Sequence, residues 1–204
     1  MMGSVRGMLA AAAGLVVLTT APAWSVPIGV GAFSGGATVI DFDGLAVDTV
    51  LGNQFAGLGA TFETVAGTTT IEDSFASPAF SLPNSAFVSI FSGGRQDILF
   101  STPVNRIGLD LDASIGETLI MDVFGAGGLI EQVTTSTNVA FLGVQTVEDI
   151  VRVELRSSTN GFNFFFDNVR FEAAAASVPE PGTLLLLGLG LAGLGFVRRH
   201  HPAR

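Results

Sequence analysis

An antiparallel β-sandwich of jelly-roll type is the fold class that the sequence predicts for residues 26–172, and three observations lead to it. Segments such as residues 107–112 and 151–156 alternate strictly between aliphatic residues and charged or small ones, which is typical of strands with one buried face. Glycine-rich turn signals recur between such segments, and no helical periodicity is found between them. A closed β-barrel has the same local pattern and stays open as the alternative.

Each candidate strand is a short run, rich in β-branched and aromatic residues, that ends near Gly, Asn, Ser or Pro. In chain order the candidate strands are residues 38–43, 60–65, 68–71, 86–91, 97–101, 107–112, 118–124, 129–134, 138–142, 151–156 and 162–172. Turn signals at residues 92–94, 125–128 and 159–161 separate several of them. A chain of this length is sufficient for one domain with its own core.

The first 25 residues have the three parts of a secretory signal peptide. Arg6 gives a positive start, residues 8–18 are apolar, and Ala21-Pro22-Ala23 supplies small residues at a cleavage site. An uncleaved anchor is the alternative, but the apolar part is short for a membrane span and is soon followed by Pro22. We therefore expect the signal peptide to be removed and the rest of the chain to be exported.

Residues 183–197 form a second apolar segment, rich in Leu and Gly, that we expect to be a short transmembrane helix. As a helix it reaches about 22 Å, which is less than the hydrocarbon core of about 30 Å. A basic tail over residues 198–204 follows and begins with Arg198 and Arg199. Because basic residues stay on the cytoplasmic side, the domain should face outwards.

The linker before this helix, residues 173–182, contains Val178, Pro179, Glu180 and Pro181. A Pro-Glu-Pro motif, a short Leu/Gly helix and arginines at the C-terminus together resemble the PEP-CTERM sorting signal of Gram-negative bacteria. The resemblance implies transient anchoring in the inner membrane, processing by an exosortase, and delivery to the cell surface or extracellular matrix alongside exopolysaccharide and biofilm production. An ordinary single-pass anchor is the alternative.

Residue types that are missing from residues 26–172 exclude most enzyme classes. The chain has no Cys, and its two histidines, His200 and His201, lie in the basic tail, so the domain has no thiol or imidazole for catalysis or zinc binding. Tyr is absent and Trp24 is the only Trp, which leaves Phe alone for stacking against sugars. We expect a protein that is not an enzyme, and a carboxylate-based glycosidase is the weakest alternative.

The charge of residues 26–172 limits the partners of the domain. These residues include 17 acidic side chains against five arginines and no lysine, a net charge of about −12. Such a surface repels nucleic acid and favours divalent cations. Solubility alone would also account for the acidity.

Asp43 and Asp167 are the candidate metal ligands. Strict alternation places Asp167 on the apolar face of Phe165, Val169 and Phe171, where a lone charge needs compensation. The motifs Phe-Asp-Gly and Phe-Asp-Asn-Val-Arg-Phe around the two aspartates resemble the first and last strands of jelly-roll carbohydrate-binding modules. That resemblance implies a structural Ca²⁺ held by both carboxylates, carbonyl oxygens and water. A turn at Asp43 and a β-bulge at Asp167 are the alternative roles.

The leading functional prediction is a non-enzymatic, exported surface or matrix protein. The alternative is a carbohydrate-binding module with a calcium-supported fold, which predicts saturable binding to a polysaccharide.

Overall fold

The computed structural model describes residues 25–74, 80–113, 117–137, 139–159 and 163–173, and these residues form an antiparallel all-β fold. Two short 3-10 turns, Val30–Ala32 and Ala56–Leu58, lie between strands. The predicted all-β class is thus confirmed. The strands are β1 (Ser25–Pro27), β2 (Thr38–Ile40), β3 (Ala60–Asp73), β4 (Asn84–Ala113), β5 (Leu119–Gly125), β6 (Gly128–Thr135), β7 (Val139–Ser157) and β8 (Phe164–Ala173).

The predicted signal peptide and transmembrane helix lie outside the described residues. Within the described ranges, no helix is long and apolar enough to cross a membrane. The first strand begins at Ser25, next to the predicted cleavage site, and β8 ends at Ala173, inside the predicted linker.

Three long strands, β3, β4 and β7, take part in both layers of a β-sandwich. In the first layer, two separate parts of β4 pair with β8, one along each edge of β8. These parts are residues 86–88 and residues 104–113, and between them β4 leaves this layer. The first part of β7 extends this layer, and the short strands β1 and β2 pair with β7 and β8. The second layer has the order β3, β4, β7, β5, β6.

Several segments that the sequence predicts as separate strands are joined in the structure. Residues 60–65 and 68–71 belong to β3, which is interrupted only by a register shift next to Ala66, a residue with a positive φ of 53°. The turn signal at residues 92–94 lies within β4. Glycine-rich segments of this kind bend a strand as readily as they end it, and the sequence pattern does not distinguish the two.

The core lies between the two layers and consists of aliphatic and aromatic side chains. Its aromatic centre is formed by Phe42, Phe55, Phe62 and Phe166, with ring centroids 5.4–6.1 Å apart. Most of these pairs meet edge to face, the arrangement that the quadrupole of an aromatic ring favours. This cluster holds the loop after β2 against β3 and β8.

On the outer side of the first layer, the ring of Phe141 lies over two glycines that face each other across β4 and β7. Gly108 and Gly143 are direct partners in register. A Cβ atom added to Gly108 would lie 2.4 Å from Cζ of Phe141, and one added to Gly143 would lie 2.6 Å from Cε1 of the same ring. The ring of Phe33, from the N-terminal segment, meets Phe141 edge to face at 6.2 Å. Because both glycines lack a side chain, there is room for the Phe141 ring, and this ring packs the N-terminal segment against the sheet through Phe33.

The substitution Gly143→Ala is expected to destabilise the protein by about 1–3 kcal/mol, because overpacking of a close contact forces side chains and backbone to move. The new Cβ would lie 2.9 Å from the backbone oxygen of Ile28, which cannot rotate away. The matched control is Gly44→Ala, where a Cβ meets nothing within 4 Å. Urea unfolding of the full chain measures both, and equal midpoints for Gly143→Ala and the unmodified protein would contradict this packing.

Candidate functional site

A β-bulge in β8 sets the position of Asp167. The register of β8 against β4 shifts between Gly108 and Asp110, and Asn168 has a positive φ of 50°. Val169 and Phe171 belong to the core cluster, whereas Asp167 pairs with Asp110 on the opposite face. The prediction that Asp167 shares a face with Val169 and Phe171 is therefore wrong, because the extra residue of the bulge interrupts the strict alternation on which it was based.

The carboxylate of Asp167 is fully buried even though its strand position faces away from the core. The segment that precedes β4 covers it. Ser81 donates to Oδ2 of Asp167 from its backbone N–H at 2.7 Å and from its hydroxyl at 2.9 Å. Asn168 donates to Oδ1 from its backbone N–H at 2.6 Å. These donors provide the compensation that a buried carboxylate requires.

The loop after β2 brings Asp43 to the same place. Phe42 has a positive φ of 61°, and its ring is fully buried in the aromatic centre of the core. Asp43 accepts a hydrogen bond from the backbone N–H of Asn84 at 3.0 Å, and the Asp41 carbonyl accepts from the Ser81 hydroxyl at 3.5 Å. Ser81 therefore contacts both the β2 loop and β8, and the structure places the two predicted ligands in one cluster.

Burial raises the pKa of Asp167 to about 7, and the negative charge of Asp43 adds to this effect. The hydrogen bonds from Asn168 and Ser81 act in the opposite direction, since they stabilise the ionised form. Desolvation is the largest cause, and it outweighs these donors. The site therefore holds a carboxyl group that changes its charge near neutral pH.

The oxygen atoms at this site match the ligand chemistry of a hard cation. The carboxylates of Asp43 and Asp167 and the carbonyl of Asp41 are the ligand types that Ca²⁺ takes in proteins. Within the described ranges, however, no three residues of the types His, Cys, Asp and Glu come together as a metal-binding group. A Ca²⁺ ion here would depend on two carboxylates, and carbonyl oxygens and water would complete its shell.

A second arrangement lies on the outer face of the second layer, where acidic side chains stand directly opposite one another on neighbouring strands. Glu63 on β3 pairs with Asp97 on β4, which pairs with Glu154 on β7. Glu154 in turn pairs with Asp122 on β5, and Asp122 pairs with Gln132 on β6. We call the four carboxylates, Glu63, Asp97, Glu154 and Asp122, the acidic row.

Three arginines flank the acidic row and neutralise most of its charge. Asp97 is bound by Arg95 at 2.8 Å and by Arg152 at 3.4 Å, and both arginines also pair with Glu154. Arg156 binds Asp122 at 2.9 Å. The guanidinium of Arg152 also lies over the Phe124 ring, with Cζ 4.1 Å from the ring centroid. We call the acidic row, these arginines, Phe124 and Gln132 together the charged face.

The sequence shows only part of the charged face. The alternation of residues 151–156 predicts that Arg152, Glu154 and Arg156 share one face, and the structure places them so. Their partners on β3, β4 and β5 depend on strand order and register. Neither of these can be read from a single sequence, because a shift of one residue sends a side chain to the other face.

The outer face of the first layer is covered to a greater extent than the charged face. The N-terminal segment lies against it, because Arg106 donates to the carbonyl of Ala32 at 3.2 Å and binds Glu172 at 2.8 Å. Phe33 covers Phe141 from the same side. The arginines of the charged face reach solvent, since the side chains of Arg95, Arg152 and Arg156 are 28–35% exposed, whereas the carboxylates of Asp97 and Asp122 beneath them are buried.

Comparison with solved structures finds similar folds at low sequence identity. The carbohydrate-binding module TmCBM61, solved with β-1,4-galactotriose, is 10% identical over 55% of this chain and 88% of its own, with a TM-score of 0.43. A point mutant of CBM29-2, a family 29 carbohydrate-binding module, is 14% identical over 71% of this chain and 98% of its own, with a TM-score of 0.43. The Stig cyclase Fisc from Fischerella sp. TAU is 11% identical over 69% of this chain and 100% of its own, with a TM-score of 0.46.

No curated protein matches the chain significantly. The predicted sorting residues, Val178, Pro179, Glu180, Pro181, Arg198 and Arg199, lie outside the described residues. A protein-family model does match this part of the sequence, over residues 177–199, and its description is the PEP-CTERM protein-sorting motif. The chain thus carries a PEP-CTERM sorting motif, as its residues predicted, and this motif marks it as an exported, membrane-processed protein of Gram-negative bacteria.

Proposed function

We propose that this protein is a non-enzymatic component of the cell surface or extracellular matrix, sorted by an exosortase and associated with exopolysaccharide. The observation that carries the proposal is the sorting motif at residues 177–199. The motif begins shortly after β8, which ends at Ala173. The β-sandwich therefore precedes the processing site as a separate folded unit.

The chemistry of the described residues supports binding rather than catalysis. The carboxylate of Asp167 is sealed under Ser81 and has no exposed surface. Each arginine of residues 26–172 forms an ion pair with a carboxylate. Residues 26–172 contain no histidine or cysteine to serve as base or nucleophile.

The substitution Glu180→Gln in the native host tests the sorting step. We expect most of the variant protein to stay in the membrane fraction as an unprocessed precursor, because the central acidic residue of the motif is removed. Immunoblots of membrane, envelope and medium fractions measure this. The control is Glu148→Gln, which changes an exposed glutamate in β7, and normal processing of the Glu180→Gln variant would contradict an exosortase-dependent route.

A second candidate function is that of a calcium-supported carbohydrate-binding module. The observation that favours it is the cluster in which Ser81 joins Asp167 to the Asp41 carbonyl, with the Asp43 carboxylate near enough for its charge to raise the pKa of Asp167. Calcium bound there would tie the β2 loop to β8 and to the segment before β4.

We expect calcium to raise the thermal unfolding temperature of the full chain, and we expect the substitution Asp43→Asn to remove most of that increase.

A further inference from the structure

We propose that Asp43 is a site of spontaneous covalent modification, at which its side chain and the backbone nitrogen of Gly44 close to a cyclic imide that reopens to isoaspartate. Asp43-Gly44 is the only Asp-Gly pair in the sequence. Glycine has no Cβ that would obstruct the approach of its nitrogen to the preceding side chain. The modification depends on neither the sorting proposal nor the calcium proposal.

The reaction is balanced within the chain and water. The Gly44 nitrogen attacks Cγ of Asp43, a C–N bond forms, and the hydroxyl group of the carboxyl leaves as water together with the amide proton. Water then adds to one of the two carbonyl carbons of the imide and breaks the bond from that carbon to the nitrogen. One product is aspartate again. The other is isoaspartate, in which the main chain runs through Cβ and Cγ and the former backbone carbonyl becomes the side-chain carboxylate.

The turn at this position leaves the attacking nitrogen unoccupied. The backbone N–H of Leu45 donates to the carbonyl of Phe42 at 3.0 Å, so Asp43 and Gly44 are the two central residues of a turn. Among the residues that the structure describes, the N–H of Gly44 has no hydrogen-bond acceptor. No hydrogen bond therefore has to break before this nitrogen approaches Cγ of Asp43.

The space around Gly44 allows the ring to form and to open. Gly44 is exposed, and a Cβ atom added to it would meet no heavy atom within 4 Å. Asp43 itself is only half-buried. Water therefore has access to the imide, and the backbone at Gly44 can shift without a clash when isoaspartate adds a methylene group to the main chain.

A hydrogen bond from β4 holds the carboxyl group that is attacked. The backbone N–H of Asn84 donates to Oδ1 of Asp43 at 3.0 Å. This contact limits the rotation of the carboxyl group, which lowers the entropic cost of closing the ring. It also stabilises the negative charge that develops on Oδ1 as the nitrogen adds to Cγ, in the manner of an oxyanion hole.

Two other aspartates of the same loop provide internal comparisons. Asp41 and Asp48 are exposed, whereas Asp43 is half-buried. They precede Phe42 and Thr49, whose side chains crowd the nitrogen that would have to attack. Exposure alone would favour Asp41 and Asp48, so selective modification of Asp43 would identify the Gly44 nitrogen and the turn as the cause.

Modification is expected to loosen the β2 loop. Isoaspartate lengthens the main chain between Phe42 and Leu45, whose hydrogen bond closes the turn, and it moves the carboxylate away from the N–H of Asn84. Both contacts stabilise the folded state only in the unmodified chain. Modified protein should therefore unfold at a lower urea concentration than fresh protein.

The experiment incubates the full chain for several weeks at neutral pH, in a mild non-ionic detergent with chelator. Samples are digested with a protease that cleaves before aspartate but not before isoaspartate. We expect progressive loss of cleavage before Asp43, while cleavage before Asp41 and Asp48 stays constant. Mass spectrometry with electron-transfer fragmentation should locate isoaspartate at Asp43 with no change in mass, whereas deamidation of Asn160, which precedes Gly161, changes the mass of its peptide.

Two variants should change the rate in opposite directions. Gly44→Ala fits the backbone, since Gly44 has no positive φ, but it places a Cβ beside the nitrogen and should slow the conversion several-fold. Asp43→Asn creates an Asn-Gly pair that closes the same ring with loss of ammonia. It should convert several-fold faster at neutral pH, because the amide carries no negative charge that opposes attack. Urea unfolding of fresh samples shows whether both variants are folded.

Several results would each overturn the proposal. If the chain unfolded in urea forms isoaspartate at Asp43 and the folded chain does not, the fold protects this residue. Equal conversion at Asp41, Asp43 and Asp48 would indicate general damage to aspartates rather than a specific site. An unchanged rate in folded Gly44→Ala would show that the Gly44 nitrogen is not the attacking group.

Discussion

The free energy of unfolding is expected to fall by a few kcal/mol as the pH rises from about 4 to about 7, in the absence of calcium. The source is Asp167, whose pKa burial raises from 3.8 to about 7 in the folded protein. One pKa unit corresponds to about 1.4 kcal/mol. The full shift therefore sets an upper limit of about 4 kcal/mol for the change that Asp167 makes to the free energy of unfolding.

The sign follows from proton binding. Between the unfolded and the folded pKa, the folded state holds a proton on Asp167 that the unfolded state has released, so raising the pH favours unfolding. Below about pH 4, Asp167 is protonated in both the folded and the unfolded state, so it no longer lowers the free energy of unfolding. Glu117 acts in the opposite direction, because hydrogen bonds from Thr159 and Ser157 lower its pKa, but its contribution changes only below its ordinary pKa of 4.5.

The substitution Asp167→Asn isolates this effect. Asparagine imitates the neutral carboxyl group and cannot ionise, so the pH dependence between 4 and 7 should become flatter even if overall stability changes. Urea unfolding at a series of pH values in chelator measures the slope. Asp48→Asn is the matched control, since Asp48 is an exposed aspartate with a positive φ of 66° that Asn tolerates well. An equal slope in the Asp167→Asn and unmodified proteins would contradict the assignment.

Repeating the series in saturating calcium tests the metal proposal independently. A cation between Asp43 and Asp167 favours the ionised carboxylates and should remove the fall in stability with rising pH. If the slope persists unchanged in calcium, the metal proposal is wrong while the titration of Asp167 stands. If calcium stabilises the protein equally in the Asp43→Asn variant, the ion binds at another site.

The sequence predicts the type of fold better than its connections. Alternation in residues 107–112 and 151–156 correctly identifies strands, because side chains on opposite faces meet core and solvent in turn. The same pattern does not show that β4 crosses both layers or that β8 lies between its two ends. Those features depend on long-range pairing, for which local residue preferences carry little information.

The candidate site, like the fold, could be predicted from the sequence only in part. Asp167 stands out in the sequence because a carboxylate in an apolar strand must be compensated, and the structure supplies the donors. The source of those donors, Ser81, could not be predicted, since it lies 86 positions away in the chain. The β-bulge that the sequence indicates as an alternative role for Asp167 is present, and strict alternation fails there because a single inserted residue changes the face of every residue after it.

Truncation of Phe42 is expected to produce the largest loss of stability among single substitutions in the β2 loop, about 3–5 kcal/mol for Phe42→Ala. The ring is fully buried and meets Phe55, Phe62 and Phe166 at centroid distances of 5.4–5.7 Å. Loss of the ring also frees the loop that carries Asp43. We therefore expect the variant to lose any calcium response together with stability.

The backbone of Phe42 makes a sharper comparison possible. Its φ of 61° costs an L-residue about 1 kcal/mol, a cost that burial of the ring offsets. Glycine has no such cost, although it normally destabilises by about 0.5–1 kcal/mol relative to alanine. Phe42→Gly and Phe42→Ala should therefore be nearly equal in stability.

Phe166 provides the control for this comparison, because it is equally buried but lies in β8 without a positive φ. There Phe166→Gly should be less stable than Phe166→Ala by the usual margin of about 0.5–1 kcal/mol. Urea unfolding of the four variants measures both differences. If glycine is as unfavourable at position 42 as at position 166, the left-handed backbone at Phe42 is not a feature of the folded protein. The loop geometry that brings Asp43 towards Asp167 would then need revision, because the buried ring and the positive φ of Phe42 together set the direction in which the chain leaves β2.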